Sequence, residues 1–237
     1  MSELSEKVAR EIMARIVRRE FSEEQPFPHE VDLCTEYGVS RVVIREAKKH
    51  LQALGMLQSR KKYGSVIMPT QNWNYFDQDL FAICSQDSEQ ANESMENYFM
   101  FRQSIEPPLA ATVAKRHSPE FEERLRTNLG RMKEALDTRN EDLWLDADLK
   151  FHIEIYTESR NILALPLANL MRPLFLRGFA VGHDAWAGNW AKHADLTQAI
   201  MDGDAEQALH YTHIIVRQGH MDYKRLAREV SETPQTR

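Results

Sequence analysis

The stretch PFPHEVDLCTEYGVSRVVIREAKKHLQALGML, residues 26–57, decides the fold of this chain. Pro26 and Pro28 break helix, so a new element has to start after them. Val31, Leu33 and Cys34 are the apolar positions of a short helix predicted over His29–Tyr37, and Gly38 ends it as a C-terminal glycine does. Ser40 is placed to cap a second helix. That helix runs to about Leu54 through Val43, Ile44, Ala47 and Leu51, and Gly55 closes it. Two helices joined by so short a turn make a helix-turn-helix, whose second helix enters the major groove of DNA.

Working outward, Leu4 to about Arg19 carries Val8, Ile12, Ile16 and Val17 on one helical face. The run FSEEQPFPHE after it reads as a loop. Downstream, MLQSR (56–60) and SVIMP (65–69) read as two short strands around the basic turn KKYG. Helix, helix, turn, helix and hairpin is the order of a winged helix-turn-helix. PTQNWNYFD (69–77) reads as a connector. Beyond it the apolar period is helical, with helices predicted near Asn92–His117, Pro119–Asp137, Glu141–Ser159, Ile162–Gly182, Asn189–Asp202 and Asp204–Ser231, and no strand after residue 70. The expected fold is mostly α: a winged helix-turn-helix with a β-hairpin wing over 1–69, a linker over 70–77 and an all-helical bundle over 78–237.

Of the 237 residues, 42% are hydrophobic and 28% charged, enough apolar material for a core, so disorder is excluded as the default. The net charge of −6 argues against coating nucleic acid by bulk positive charge, but it is an average. Residues 1–69 hold 12 basic and 10 acidic side chains, and the other 168 residues hold 18 and 26. Seven of those 12 basic residues fall within 40–62, where Glu46 is the single acid. No apolar run is long enough to span a bilayer and no signal-peptide core is present at the start. Cys34 and Cys84 lack metal-binding or redox spacing and are read as reduced thiols of a cytoplasmic protein. No G-x-G-x-x-G, P-loop or G-x-S-x-G occurs.

The runs PHEVDL (28–33), GVSR (38–41), IREA (44–47), LGML (54–57) and YGSVI (63–67) resemble the GntR family of bacterial transcription regulators. The physical chemistry of the residues agrees. Ser40 and Arg41 begin the second helix of the pair, the end that meets base edges. Arg45 follows Arg41 by one turn on the same face, and arginine can fork onto guanine O6 and N7. Lys48, Lys49, Lys61 and Lys62 suit phosphate contacts, which set register without reading sequence, and Tyr63 and Gly64 belong to the wing. Many members have arginine directly after the position of Glu30, where this chain has Val31, so one common DNA contact is missing.

Residues 78–237 resemble the FCD effector-binding domain of the FadR subfamily, through FRQSIEPPLA (101–110), DLKFH (148–152) and HADLTQAIMDGD (193–204). In metal-containing members an Asp-x3-His pair and two later histidines hold a divalent ion. Asp148 and His152 stand one turn apart on one helix face, a spacing that suits a shared ion, and His193 matches the third ligand. The fourth position holds Ile215, and His213 would point some 160° away from it on an ideal helix, roughly the rotation of two helical residues subtracted from a full turn. Three protein ligands are therefore expected, with open positions for water or effector. Zinc is favoured by the nitrogen donors, with nickel and manganese as alternatives; a metal-free Asp148–His152 hydrogen bond is the plain alternative. His183, His210, His213 and His220 are read as surface or core residues.

Arg102 falls where the resemblance implies an arginine facing the pocket, and a carboxylate effector would suit it. Glu106, one turn later, is its alternative partner. Arg172, Arg177 and Trp186 are weaker effector candidates, and core packing accounts equally well for the tryptophan. The connector QNWNYFDQDL (71–80) and the missing fourth histidine resemble sugar-acid-responsive members. The expected function is thus a homodimeric repressor that reads a palindromic operator and is released by a sugar acid. An acyl-CoA or small dicarboxylate effector is the alternative within this class. A metal-dependent hydrolase fits the ligand set formally but lacks a placed general base.

Overall fold

Ser2 opens the first helix, α1 (Glu3–Val17): its hydroxyl accepts the N–H of Ser5, and Glu3 and Glu6 lie in the first turn, where they complement the helix dipole. α2 (Glu30–Tyr37) ends at Gly38 in the left-handed conformation, with φ +64°. α3 (Arg41–Ala53) begins at Ser40, whose hydroxyl accepts the N–H of Val43. β1 (Leu57–Arg60) and β2 (Gly64–Ile67) pair antiparallel, Leu57 opposite Ile67 and Arg60 opposite Gly64. Phe27 adds one bridge to Ser65. In this computed structural model, residues 1–21, 26–61, 63–85, 91–168, 170 and 183–232 are described. The order predicted from residues 26–57 is the order found.

The chain divides into two compact units, Met1–Ala91 and Asn92–Arg237. The core of the first gathers Val8, Ile12 and Ile16 from α1, Leu33 from α2, Ile44, Ala47 and Leu51 from α3, and Phe27, Met56 and Leu57 beside the wing. Most of the predicted apolar positions are buried here because each helix presents one stripe to the others, but Val31 is 51% exposed and Cys34 and Val43 are only partly buried at the edge of this core. The unit continues past residue 69. Residues 70–77, expected as a linker, are tied down: Trp73 is buried, its indole N–H donates to the Met68 carbonyl, and the Asn74 N–H donates to the Leu54 carbonyl. α4 (Gln78–Cys84), expected in the second domain, packs in the first, with Leu80 and Cys84 in the same core. An apolar face only seven residues long leaves no sign of which domain will cover it.

Among the described residues the second unit is helical: α5 (Ala91–Lys115), α6 (Pro119–Thr138), α7 (Glu141–Glu158), α8 (His183–Met201) and α9 (Ala205–Glu232). Ser118 and Asn140 cap α6 and α7 through the N–H groups of Phe121 and Leu143. Pro107 and Pro108 lie inside α5 without ending it, although each removes a backbone donor. Phe99, Val113, Phe121, Leu125, Phe151, Ile155, Leu196 and Ile200 are buried at the centre. The helix predicted over 162–182 lies largely outside the described residues. No described helix is long and apolar enough to cross a membrane.

Candidate functional site

The candidate site residues form two groups, one in each unit. In the first, Arg41, Arg45 and Lys49 are exposed along α3 and Lys48 is half-buried. Ser40 is exposed at the head of that helix while its hydroxyl caps it. Lys61 and Gly64 are exposed on the wing turn beside Tyr63, which is 71% exposed; Lys62 lies outside the described residues. Val42 is 66% exposed on the first turn of α3, so an apolar methyl pair stands among the base-reading candidates. One partner was not anticipated: Arg45 Nε donates to Glu30 Oε2 at 2.9 Å, across the turn between α2 and α3.

In the second unit, α7 carries Asp148 and His152 and α8 carries His193. Their donor atoms all lie within 4.8 Å of one another, with both imidazoles buried. The His193 ring is oriented from behind. Its Nδ1 lies 2.8 Å from the Asn189 carbonyl, which can only accept, so Nδ1 carries a proton and Nε2 is turned inward. That Nε2 stands 3.0 Å from Asp148 Oδ1, yet both atoms are buried without a hydrogen-bond partner. Such a contact is satisfied by a positive charge, either a second proton on the His193 ring or a metal ion held by both atoms. Burial would push the Asp148 carboxyl up, but His193, His152 and Arg102 hold it below the usual range.

His152 Nε2 lies 3.7 Å from the same Oδ1, and its Nδ1 lies 3.1 Å from Glu106 Oε2. Both histidines thus turn Nε2 toward Asp148 and Nδ1 toward an oxygen, the arrangement of metal-ligating histidines. Two imidazole nitrogens and one carboxylate oxygen are a donor set for zinc, nickel or manganese. Ile215 is buried and His213 exposed, so neither adds a fourth donor. His210 is exposed, and His220 lies 2.8 Å from Glu96 and stacks on Phe99.

The other effector candidates divide. Arg102 is buried and its fork meets Glu106, Nε to Oε1 at 2.5 Å and Nη2 to Oε2 at 3.1 Å, the partner one turn later that spacing allowed. The Tyr156 hydroxyl donates to Glu106 Oε1 at 3.2 Å. Burial alone would raise the Glu106 carboxyl, but Arg102 and His152 more than offset it and hold the carboxyl at about 2. Trp186 stacks face to face on Trp144, with centroids 5.0 Å apart and both rings buried, so its contact here is core packing. Arg172 and Arg177 lie outside the described residues. Glu106 was expected only as the alternative partner of Arg102 and Tyr156 not at all, because the Glu106–His152 and Glu106–Tyr156 contacts span 46 and 50 positions, which no local spacing signals.

Comparison with known proteins agrees with the two-unit division. Residues 4–67 match the bacterial regulatory proteins of the gntR family and residues 96–217 match the FCD domain. The chain is 26% identical over 214 residues to an uncharacterized HTH-type transcriptional regulator, YieP, of Escherichia coli K12, covering 90% of this chain and 93% of that one. It is 26% identical over 202 residues to the galactonate operon transcriptional repressor of the same organism, covering 82% and 86%. A solved structure of Lar, described as controlling expression of the Listeria monocytogenes agr system, superposes with a TM-score of 0.60 at 16% identity over 95% of this chain and 99% of that one. Wing, turn and recognition helix in one unit and an FCD bundle in the other identify the chain as a member of the GntR family, a transcription regulator and not an enzyme.

Proposed function

We propose that this regulator is a cytoplasmic, homodimeric repressor of a sugar-acid operon, released from a palindromic operator when the sugar acid binds at a metal ion in the FCD unit. The observation that carries the reading is the pair of buried, unpartnered atoms Asp148 Oδ1 and His193 Nε2 at 3.0 Å, with His152 Nε2 beside them. Asp148, His152 and His193 would hold the ion, zinc being favoured over nickel or manganese. The ion would supply Lewis-acid binding positions for a carboxylate and an adjacent hydroxyl. The positive charge of Arg102, paired with Glu106, also acts on Asp148 and would favour an anion bound near it. The likeness to a galactonate operon repressor supports a hydroxy-acid effector.

On the DNA side, Arg41 and Arg45 would read base edges while Lys48, Lys49, Lys61, Tyr63 and Gly64 hold the backbone. The effector can act only by binding one conformation of the regulator better than another. A thermal-shift screen of aldonates, uronates and ketodeoxy acids, with and without chelator, tests the reading. A sugar acid should raise the melting temperature, and chelator should abolish the rise. Stabilisation by an acyl-CoA or a dicarboxylate that survives chelator would replace the sugar-acid reading.

A further inference from the structure

We infer that Glu106 is a positioning residue for the metal centre: it holds His152 with Nε2 toward the ion, and Arg102 and Tyr156 hold Glu106. The inference rests on the metal reading above.

The two histidines of the cluster are anchored differently. His193 uses a neutral acceptor on its own helix, the Asn189 carbonyl. His152 uses a carboxylate from another helix, with Glu106 Oε2 at 3.1 Å from Nδ1. A carboxylate fixes the ring's tautomer and also makes Nε2 a more basic donor, because negative charge at Nδ1–H strengthens the lone pair across the ring. Glu106 can do this only if it stays ionised and still. Arg102 meets both of its oxygens and Tyr156 donates to one of them, while Arg102, Glu106, Tyr156 and His152 are all buried.

An ion pair this deep is weak evidence for stability, since desolvating two charges offsets most of their attraction. Its geometry therefore points to placement. Oε1 takes Arg102 Nε and Tyr156, which leaves Oε2, shared with Arg102 Nη2, as the oxygen that faces His152. Chain order makes the same link: α5 supplies Arg102 and Glu106 one turn apart, and α7 supplies Asp148, His152 and Tyr156 at successive turns of one face. The metal site so read has three ligands among the described residues, Asp148, His152 and His193, with Glu106 of α5 as a buried support behind His152.

The test measures zinc affinity of the full-length protein by competition with a chromophoric chelator at fixed pH. Two variants are compared with wild type: Glu106→Gln, and Arg102→Met combined with Glu106→Gln so that no buried charge is left alone. Each should fold and bind zinc roughly 10- to 100-fold more weakly. Wild-type affinity in either folded variant overturns the inference, since a merely structural role would lower the melting temperature and leave the affinity of the folded protein unchanged. Should both variants fail to fold, nitrogen-15 NMR of the zinc-loaded wild type decides. Zinc on Nε2 of His152 with the proton on Nδ1 supports the inference, and zinc on Nδ1 overturns it. A wild-type protein that takes up no zinc overturns the metal reading itself, whereas zinc uptake that is insensitive to both substitutions overturns only the role of Glu106.

Discussion

Glu30, the first residue of α2, accepts a hydrogen bond at 2.9 Å from Nε of Arg45, on the recognition helix. The contact ties the guanidinium to a residue on the other arm of the helix-turn-helix, and if Arg45 reads base edges, Glu30 would set its aim. The Arg45 side chain is 61% exposed, and exposed pairs contribute about 0–1 kcal/mol, so little stability is expected from it. Glu30→Gln should leave the melting temperature nearly unchanged, tighten binding to a scrambled duplex by removing a negative charge, and narrow the operator-to-scrambled ratio. Fluorescence anisotropy on both duplexes at one salt concentration checks this. A ratio equal to wild type would show that Glu30 does not aim Arg45.

Arg45→Ala should weaken operator binding by about 1–3 kcal/mol per half-site, roughly 5- to 150-fold. Binding to a scrambled duplex should fall far less. Zinc uptake should be unaltered, because Arg45 belongs to the first unit and the ligands to the second. Operator affinity that survives the change would remove Arg45 from the base-reading set.

Metal and Asp148 should trade places in their effect on stability. Zinc at about one hundred times its dissociation constant should stabilise the wild type by about 2.7 kcal/mol, and chelator should reverse this. In Asp148→Asn the zinc-linked rise should disappear. The metal-free variant should melt at or above the metal-free wild type, because an amide N–H can donate to the His193 lone pair that now faces an unpartnered carboxylate oxygen. Calorimetry with and without chelator measures all four states, and a zinc-linked rise that persists in the variant would exclude Asp148 as a ligand.

Two glycines with nearly equal backbone angles should respond unequally to alanine. Gly38 and Gly55 have φ +64° and +72°, but a Cβ at Gly38 meets nothing within 4 Å, while one at Gly55 would sit 2.1 Å from the Asn72 carbonyl oxygen. Gly38→Ala should cost about 1–2 kcal/mol from backbone strain alone. Gly55→Ala should cost more than about 3 kcal/mol, because the connector must also move off the end of α3. Urea unfolding followed by circular dichroism separates the two, and equal midpoints would mean that the connector does not pack on Gly55.

Most of the helix-turn-helix was legible because its determinants are local. Ser40 caps the helix that follows it, Gly38 takes the left-handed angle at the end of the helix before it, and Ile44, Ala47 and Leu51 repeat at a period that a helix alone satisfies. The Asp148–His152 pair was legible for the same reason, and Arg102 with Glu106 was legible as a candidate ion pair.

What the sequence could determine by itself was therefore whatever lies within a turn or two of chain: element order, caps, apolar faces and one-turn pairs, to which family resemblance added His193. The tertiary structure decided the rest. It joined Glu30 to Arg45, Glu106 and Tyr156 to the His152 network, and α4 and Trp73 to the first core. It also placed Asp148 Oδ1 opposite His193 Nε2. The reason is physical: a hydrogen bond or an ion site selects on distance and direction in space, and only within one helix does residue spacing determine either.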